Sequence, residues 1–218
     1  MNKHNPAYVE ARRDVVRLVP TDCRRILDIG CATGRTGELL KKTRAGLSVV
    51  GVELDAGMAE LASAHLDEVY VGEISELMSA GAIAGERFDC ILLADILEHL
   101  VDPWALVRQL AKHLEPDGTI VTSLPNVRHF STLLSLIFAK RWPYRDRGIH
   151  DRTHLRFFAQ RNLDDLFDGT GLTMTGVGRN FRLIEAPHPV NRFAWIFGFP
   201  PLRDLVTFQY LIVAKMDK

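Results

Sequence analysis

Three observations on the sequence predict an α/β fold, a doubly wound sheet of mostly parallel strands. Short apolar segments alternate with amphipathic helical segments up to residue 125, the pattern of a parallel sheet with helices on both faces. The first apolar segment, Arg25–Ile29, leads into a turn bracketed by Gly30 and Gly34. Glu53 and Glu73 stand at the ends of the next two apolar segments. Because parallel strands end at one edge of the sheet, the turn and both acids should line one crevice, where nucleotide-like ligands bind.

Each element up to the third strand has a local signal. Valines at helical spacing predict an amphipathic helix over residues 8–18, which ends before Pro20. The first strand is predicted at residues 25–29, a helix at 36–42, and a second strand at 48–53. Asp55 is a suitable first residue for a helix over residues 55–64, and residues 69–71 form a short third strand.

Proline and glycine mark the boundaries of the following elements. A connection rich in glycine and alanine at residues 79–85 leads to a fourth strand at 88–94 and one helical turn at 95–100. Asp102 can cap the next helix, Pro103 suits its first position, and the run Pro116-Asp117-Gly118 is predicted to close it. The fifth strand is then expected over residues 119–123.

Beyond Pro125 predicted strands and helices alternate less regularly. Helices are predicted at residues 129–139 and 161–167, a sixth strand at 172–181, and a final apolar strand at 207–215. Two irregular segments, residues 126–158 and 185–204, are predicted to be lid or substrate-binding insertions of a single domain spanning residues 1–218. The aromatic residues of the second insertion also fit a small satellite core under a loop, or a contact with a membrane surface.

Composition excludes several broad classes of protein. The chain has 218 residues, 47% hydrophobic and 25% charged, as expected of one globular domain. Its 27 lysines and arginines balance 27 aspartates and glutamates, so the net charge attracts neither nucleic acid nor an anionic membrane. Three cysteines fit neither a disulfide framework nor a zinc site. A cytoplasmic location is expected, since the sequence has neither a secretory signal nor an apolar run of the ~20 residues that a membrane helix needs.

The glycine turn and the strand-end acids form a candidate cofactor site. Its spacing, Gly30-x-Ala32-x-Gly34, differs from the G-x-G-x-x-G of nicotinamide dehydrogenases. Residues 26–34, 50–55 and 88–100 resemble the first, second and fourth motifs of class I S-adenosylmethionine-dependent methyltransferases, which usually have glycine where Ala32 stands. The resemblance implies S-adenosylmethionine as cofactor, and a seven-stranded Rossmann-like sheet whose antiparallel seventh strand lies beside the sixth.

The acids of this site have distinct expected roles. Glu53 is expected to accept hydrogen bonds from the two ribose hydroxyls, and Glu73 to reach the adenine amino group. The predicted cofactor-binding residues are Asp28, Gly30, Cys31, Ala32, Gly34, Glu53, Leu54, Glu73, Ile74 and Ala94.

Three side chains after the fourth strand indicate where chemistry could occur. Asp95, Glu98 and His99 stand at i, i+3 and i+4, so a helical turn would place all three on one face. Two carboxylates and an imidazole can hold a divalent cation such as Mg²⁺. An amphipathic turn whose polar face is simply solvated explains the same residues.

A second resemblance concerns this segment. Residues 97–103 resemble ubiquinone-pathway O-methyltransferases, and residues 95–99 with 123–126 and 151–157 are similar to small-RNA 2′-O-methyltransferases. The resemblance implies a magnesium-type ion held by Asp95, Glu98, His99 and His154, although these families have a longer glutamate where Asp95 stands. Such an ion would bind paired oxygens of the acceptor and lower the pKa of the attacking hydroxyl.

Without a metal, a histidine would act as the general base, because imidazole titrates near neutral pH. The candidates are His99, His129, His150 and His154. His154 is preferred because it lies in the insertion that faces the strand ends. The predicted catalytic residues are therefore His154 and His99.

The predicted acceptor is a small molecule or a glycan, methylated on a hydroxyl. Residues 140–156 hold six lysines and arginines against two aspartates, which suits either a solvated loop or an acceptor with a phosphate or carboxylate. Residues 148–158 resemble bacterial methyltransferases associated with cell-surface glycans. Two alternatives are an RNA 2′-O-methyltransferase, since arginines and aromatic rings bind single strands, and a non-catalytic cofactor-binding scaffold.

Overall fold

A seven-stranded sheet runs through the computed structural model, which describes residues 10–217. The strands are β1 (Arg25–Ile29), β2 (Ser48–Glu53), β3 (Glu68–Val71), β4 (Phe88–Ala94), β5 (Leu114–Pro125), β6 (Leu172–Phe181) and β7 (Thr207–Met216). Their order is β3-β2-β1-β4-β5-β7-β6. Strands β1 to β5 are parallel, and β7 lies antiparallel between β5 and β6. The predicted α/β fold class and the antiparallel seventh strand beside the sixth are confirmed.

Short helices connect the strands and cover the sheet. They are α1 (Arg13–Val16), α2 (Arg35–Thr43), α3 (Ala56–Ala62), α4 (Ile74–Ser79), α5 (Pro103–Ala111), α6 (Phe130–Ile137) and α7 (Arg203–Val206). Four 3₁₀ helices are Leu97–His99, Gln160–Asn162, Asp164–Phe167 and Pro189–Phe197. The carboxylates of Asp55 and Asp102 each accept a hydrogen bond at 2.9 Å from an amide in the first turn of α3 and α5, as their N-cap assignment predicts. None of the helices among residues 10–217 has the length and apolar character needed to cross a bilayer.

The central strands are buried on both faces, which explains their continuous apolar sequences. Leu27 and Ile91 belong to one hydrophobic cluster, and Ile26 and Leu92 to another on the opposite face. Cys23, Cys31 and Cys90 are buried and free. The core therefore fixes the carboxyl ends of β1, β2 and β4 at one edge of the sheet, where the candidate site lies.

Several predicted boundaries are wrong. Strand β5 begins at Leu114, so Pro116-Asp117-Gly118 lies within the strand, while α5 already ends at Ala111. The pairing of β4 with β5 shifts between Phe88 and Cys90, which accommodates the exposed residues 115–117 as an irregularity of the ladder.

Other differences concern helices. Within the predicted helix over 8–18, only Arg13–Val16 is helical, and Tyr8 and Val9 lie outside the described residues. Helix α4 precedes the predicted connection at 79–85. The helix predicted at 161–167 is replaced by two 3₁₀ turns.

The two insertions contact each other through a buried chain of polar groups, here called the insertion bridge. His150 Nε2 lies 3.0 Å from Thr132 Oγ1, and His150 Nδ1 lies 2.9 Å from the Glu185 carboxylate. Arg145 adds an ion pair with Glu185 at 2.8 Å. Since Glu185 begins the second insertion and the other three belong to the first, the bridge joins the insertions at their bases.

Candidate functional site

The turn after β1 has a backbone conformation that favours glycine. Gly30 (φ 72°), Ala32 (φ 49°) and Gly34 (φ 76°) all lie in the left-handed region. The amides of Gly30 and Cys31 donate to one carbonyl of β2 at 2.8 and 3.1 Å, which anchors the turn. A side chain in this conformation costs about 1–2 kcal/mol, so alanine at position 32 is under backbone strain that glycine would not have.

A side chain at either glycine of the turn would crowd a neighbouring residue. A Cβ on Gly30 would lie 2.1 Å from Ile96 Cδ1, so this position lets the turn contact the segment that follows β4. A Cβ on Gly34 would lie 3.0 Å from the Ala62 Cα. Gly34 is also the N-cap residue that precedes α2, and no side chain in the described residues caps that helix. The free amides of α2 therefore face the turn, where an anionic group can bind.

Two buried carboxylates lie beside the turn. Glu53, at the end of β2, accepts hydrogen bonds from the amides of Ala32 (2.8 Å) and Asp55 (2.9 Å). Asp28 is only 3% exposed, and its Oδ2 has no hydrogen-bond partner within residues 10–217. Burial, and secondarily the charge of Glu53, raises the pKa of Asp28 to about 7. An unpaired buried carboxylate next to a second one suits a ligand that carries positive charge.

The other predicted cofactor residues lie around the same strand ends. Leu54 is 71% exposed beside Glu53, Ile74 is buried, and Ala94 is half-buried. Glu73 caps α4, accepting from the Glu76 amide at 3.0 Å and from the Ser75 hydroxyl at 3.2 Å. Cys31 packs its sulfur over Gly51, and burial raises the pKa of its thiol, so only its backbone faces the turn.

These features fit S-adenosylmethionine, the cofactor that the resemblance implies. The molecule carries a sulfonium and an ammonium, which the unpaired oxygen of Asp28 can attract. A Cβ at Gly30 or Gly34 would crowd Ile96 or Ala62, so the turn runs close to its neighbours, and Glu53 lies beside it at the end of β2. When bound, the cofactor supplies an electrophilic methyl group.

A second group of polar side chains lies beyond the end of β4. Ligand atoms of Glu98, His99 and His154 lie within 4.8 Å of one another. Glu98 is 1% exposed, and its Oε2 has no hydrogen-bond partner within the described residues. Burial, followed by the charge of Asp95, raises the pKa of Glu98 well above its ordinary value. We call these three residues the Glu98 cluster.

The imidazoles of the Glu98 cluster are oriented by neighbours that sequence reasoning missed. Thr153 Oγ1 donates to Asp151 at 2.6 Å, so it accepts from His99 Nδ1 at 3.1 Å. His154 Nδ1 donates to the Ile149 carbonyl at 3.2 Å. In both rings this assignment leaves Nε2 with a free lone pair. Burial, followed by the charge of His99, lowers the pKa of His154, which favours the neutral form that can accept a proton or bind a metal.

The backbone of the first insertion is attached to this cluster. The amides of Leu155 and Arg156 donate to the Glu98 carbonyl at 2.8 and 3.0 Å. The imidazole rings of His99 and His154 meet edge to face, 4.8 Å between centroids. The insertion therefore brings His154 to the end of β4.

The structure corrects the predicted set of four metal ligands at Asp95. Its φ of 58° is left-handed, so it does not continue into the Leu97–His99 helix, and the i, i+3, i+4 argument fails there. Its carboxylate is engaged elsewhere: Arg12 Nη1 pairs with it at 2.5 Å, Ser123 Oγ donates at 2.8 Å, and Gln209 Nε2 donates at 2.5 Å. The structure thus joins Glu98, His99 and His154 and leaves Asp95 outside the cluster.

Arg12 links the amino-terminal segment to this edge of the sheet. Besides Asp95, its guanidinium pairs with Asp14 at 3.0 Å and donates to Gln209 at 3.2 Å, and its backbone amide donates to Thr36 Oγ1 at 3.2 Å. Nothing in the sequence pattern pointed to Arg12 or Gln209, because their partners are distant along the chain.

Two other histidines named as possible bases are engaged in the interior. Both ring nitrogens of His129 are occupied, by Ser131 Oγ at 2.8 Å and the Arg182 carbonyl at 2.9 Å. His150 lies in the insertion bridge. Neither belongs to the Glu98 cluster, so the structure assigns both to the scaffold.

Comparison with known proteins gives a consistent family. A family model described as a methyltransferase domain matches residues 1–177. A ubiquinone biosynthesis O-methyltransferase of Bartonella tribocorum is 31% identical over 171 residues, covering 76% of this chain and 67% of the relative. One of Methylobacterium nodulans is 30% identical over 195 residues, covering 83% of this chain and 77% of the relative. For several such relatives the chain spans about two thirds of their length.

Solved structures with little sequence similarity share the fold. A SAM-dependent methyltransferase from Archaeoglobus fulgidus superposes with a TM-score of 0.65 at 20% identity, over 96% of both chains. A magnesium protoporphyrin IX methyltransferase from Synechocystis, with bound SAH, superposes with a TM-score of 0.64 at 13% identity, over 99% of this chain and 84% of the other.

Proposed function

The chain belongs to the class I S-adenosylmethionine-dependent methyltransferases, and on that premise we propose that it methylates a hydroxyl of a small-molecule or glycan-type acceptor. The observation that carries the proposal is the Glu98 cluster. It combines one carboxylate with two imidazole lone pairs at the end of β4, beside a segment whose Ile96 packs on Gly30 of the cofactor turn. A neutral hydroxyl is a weaker nucleophile than a neutral amine, so a hydroxyl acceptor depends more on groups that take its proton as it attacks.

The cofactor pocket is proposed to follow the predicted residues. Asp28 would face the positively charged methionine part, Glu53 the ribose, and Glu73 with Leu54 and Ile74 the adenine. The backbone of the turn and Ala94 would line the space between them. The alignment of acceptor and cofactor in this pocket would supply much of the rate enhancement.

We further propose that Glu98, His99 and His154 hold a divalent cation. Loss of Asp95 from the set leaves two nitrogens and one carboxylate, a donor set that suits a first-row transition ion such as Mn²⁺ better than Mg²⁺. Bound there, the ion would lower the pKa of the acceptor hydroxyl. In the absence of an ion, His154 would accept the hydroxyl proton, and His99 would assist it.

The acceptor class is supported by the relatives and by the insertions. The relatives' names, ubiquinone biosynthesis O-methyltransferase, favour methylation of an oxygen atom on a small molecule. The basic first insertion suits an acceptor with a phosphate or carboxylate. We propose that residues 126–158 and 185–204 bind this acceptor, and that the protein works in a reducing compartment such as the cytoplasm, where its three free cysteines persist.

An acceptor panel tests the proposal. The purified chain with S-adenosylmethionine and Mn²⁺ is offered prenylated phenols and catechols, glycans, and short RNA, and product mass is measured. We expect a mass gain of one methyl on phenols, catechols or glycans, lost after chelation if the ion acts. Transfer to RNA alone, with affinity that falls steeply with salt, would establish the RNA alternative. Cofactor binding without transfer to any acceptor would establish the scaffold alternative.

A further inference from the structure

Three arginines lie around one carboxylate at the β6 end of the sheet. Arg179 belongs to β6, Arg203 to α7, and Arg128 to the segment that follows β5. The carboxylate is that of Asp204. We propose that these three arginines, here called the arginine cluster, bind the phosphate group of a phosphate monoester.

Tyr210 and Asp204 form the base of the arginine cluster. The Tyr210 hydroxyl donates to Asp204 Oδ1 at 2.5 Å, and Asn126 Nδ2 donates to the Asp204 carbonyl at 2.7 Å. The Arg179 guanidinium lies over the Tyr210 ring, 5.9 Å from its centroid. Arg128 Nη1 lies 2.9 Å from Asp204 Oδ2, an ion pair without hydrogen-bond alignment. These contacts orient the site in advance, which lowers the entropy cost of binding a ligand.

Two of the arginines have donors without a partner in the protein. Arg179 is half-buried, and in the described part of the chain its side chain makes one hydrogen bond, from Nη1 to the Val177 carbonyl at 3.3 Å. Its Nε is buried and unpaired. The guanidinium of Arg203, also half-buried, makes neither a hydrogen bond nor an ion pair within residues 10–217. Because charged donors withdrawn from water and left unpaired cost free energy, an anion that binds both guanidiniums would be stabilised there.

The charge of the arginine cluster identifies the class of ligand. Burial, followed by the charge of Arg203, lowers the pKa of Arg179, and Asp204 is the one described carboxylate whose charge opposes this effect. Three guanidiniums and one carboxylate carry a net charge of +2. The phosphate of a monoester has nearly two negative charges at neutral pH and matches this value. A carboxylate or a phosphate diester has a single negative charge and would leave one guanidinium uncompensated.

The arginine cluster lies at the same edge of the sheet as the Glu98 cluster. The pairing register places Gly178, the residue before Arg179, in one row with Ala94 at the end of β4. Three strand spacings separate β6 from β4, about 14 Å. A phosphate bound there is therefore within reach of the proposed acceptor site, but its binding requires neither cofactor nor acceptor.

Calorimetric titration of the full chain, without cofactor or acceptor, tests this site. Methyl phosphate and inorganic phosphate are the doubly charged probes, and dimethyl phosphate and acetate are the singly charged ones, all at the same ionic strength. Dimethyl phosphate also represents the diester of a lipid headgroup or of a nucleic-acid backbone. We expect the doubly charged probes to bind with a Kd of about 1 mM or lower, and the singly charged ones at least about tenfold more weakly. Equal affinity for all four probes, or no saturable binding of methyl phosphate below about 20 mM, would overturn the proposal.

Substitutions locate the site. Arg203→Gln removes no contact within the described protein and is expected to fold, and Arg179→Gln tests the second unpaired guanidinium. Each should weaken methyl phosphate binding at least about tenfold, since each removes a charged donor. The control is Arg24→Gln, which removes an exposed arginine just before β1, at the opposite edge of the sheet, and should bind as the wild type does.

Thermal unfolding gives a second measurement on the same proteins. Methyl phosphate should raise the Tm of the wild type and of Arg24→Gln, but not that of Arg203→Gln, because a ligand stabilises only the folded state that binds it. Wild-type affinity in both Arg179→Gln and Arg203→Gln would contradict the assignment of the site. So would a loss in Arg24→Gln equal to theirs, since binding would then follow the overall charge of the chain.

Discussion

Asp28 should make the proposed cofactor site sensitive to pH. Burial beside Glu53 raises its pKa to about 7, so near neutral pH the carboxyl is partly protonated. A positively charged cofactor favours the ionised form, and its binding should release a proton. We predict that affinity for S-adenosylmethionine falls below about pH 7, up to tenfold per pH unit.

Calorimetry in buffers with different ionisation enthalpies measures this proton release directly. Asp28→Asn should bind more weakly, with an affinity that no longer changes between about pH 6 and 8. A wild-type affinity that is independent of pH, with no proton released, would show that Asp28 does not face the charged part of the cofactor.

The same carboxyl should affect stability. Its folded pKa lies above the ordinary value of 3.8, so between those two values the folded state binds more protons than the unfolded state, and stability falls as pH rises. Asp28→Asn removes this loss. We predict that, relative to wild type, the variant gains about 2 kcal/mol in free energy of unfolding between about pH 5 and pH 8, measured by denaturant titration.

Asp95 and Glu98 are three residues apart but have different roles in the structure. Asp95→Asn keeps a residue that tolerates left-handed backbone, but it loses the ion pair with Arg12, so we expect a destabilisation of about 1–3 kcal/mol. Its Mn²⁺ affinity should remain close to that of the wild type. Glu98→Gln, in contrast, should lose Mn²⁺ binding, because it removes the only carboxylate of the cluster. Comparable loss of Mn²⁺ binding in both variants, measured by calorimetry, would return Asp95 to the ligand set.

At the scale of elements, the junction of β1 and α2 depends on Gly34. Gly34→Ala meets both a left-handed φ of 76° and a contact of 3.0 Å with the Ala62 Cα. Gly46→Ala is the matched control, since Gly46 has the same φ of 76° but nothing within 4 Å. We predict a loss of about 1 kcal/mol for Gly46→Ala and clearly more for Gly34→Ala, measured by thermal unfolding, with weakened cofactor binding only in Gly34→Ala. Equal losses of stability in the two variants would mean that α3 moves to accommodate the new methyl group.

The strands were predictable where side-chain pattern and burial agree. The bounds of β1, β2, β4 and β6 match the sequence prediction, because their residues are apolar on both faces or alternate within a paired ladder. The start of β5 was not predictable, since Pro116 and Gly118 signal a turn locally, and only pairing with β4 extends the strand through them. Helix α4 was missed for a similar reason, because its N-cap is Glu73, a weak capping residue by type.

The site was predictable in part for the same physical reason. The glycine turn, the strand-end acids and Glu98-His99 depend on local sequence, and parallel strands bring them to one edge. Arg12, Gln209 and Thr153 depend on contacts between segments far apart in sequence, which no local pattern encodes. Asp95 was assigned as a ligand because of its helical spacing from Glu98 and His99, but its backbone is in the left-handed conformation and does not continue into that helix.

At the scale of the whole molecule, the sheet carries the proposed cofactor pocket and the first insertion carries His154. The amides of residues 155 and 156 hold the first insertion on the Glu98 carbonyl, and the insertion bridge holds the second insertion on the first. The proposed chemistry at the end of β4 would therefore depend on the packing of the insertions as well as on the sheet.

The most direct test of this account is the rate of methyl transfer at saturating cofactor in His154→Ala, compared with His113→Ala. His113 lies at the opposite edge of the sheet, just before β5, and serves as the control. We predict that His154→Ala lowers kcat at least about 100-fold with unchanged affinity for S-adenosylmethionine, and that His113→Ala is close to wild type. Wild-type turnover by His154→Ala would contradict the assignment of the Glu98 cluster as the place where the acceptor hydroxyl is activated.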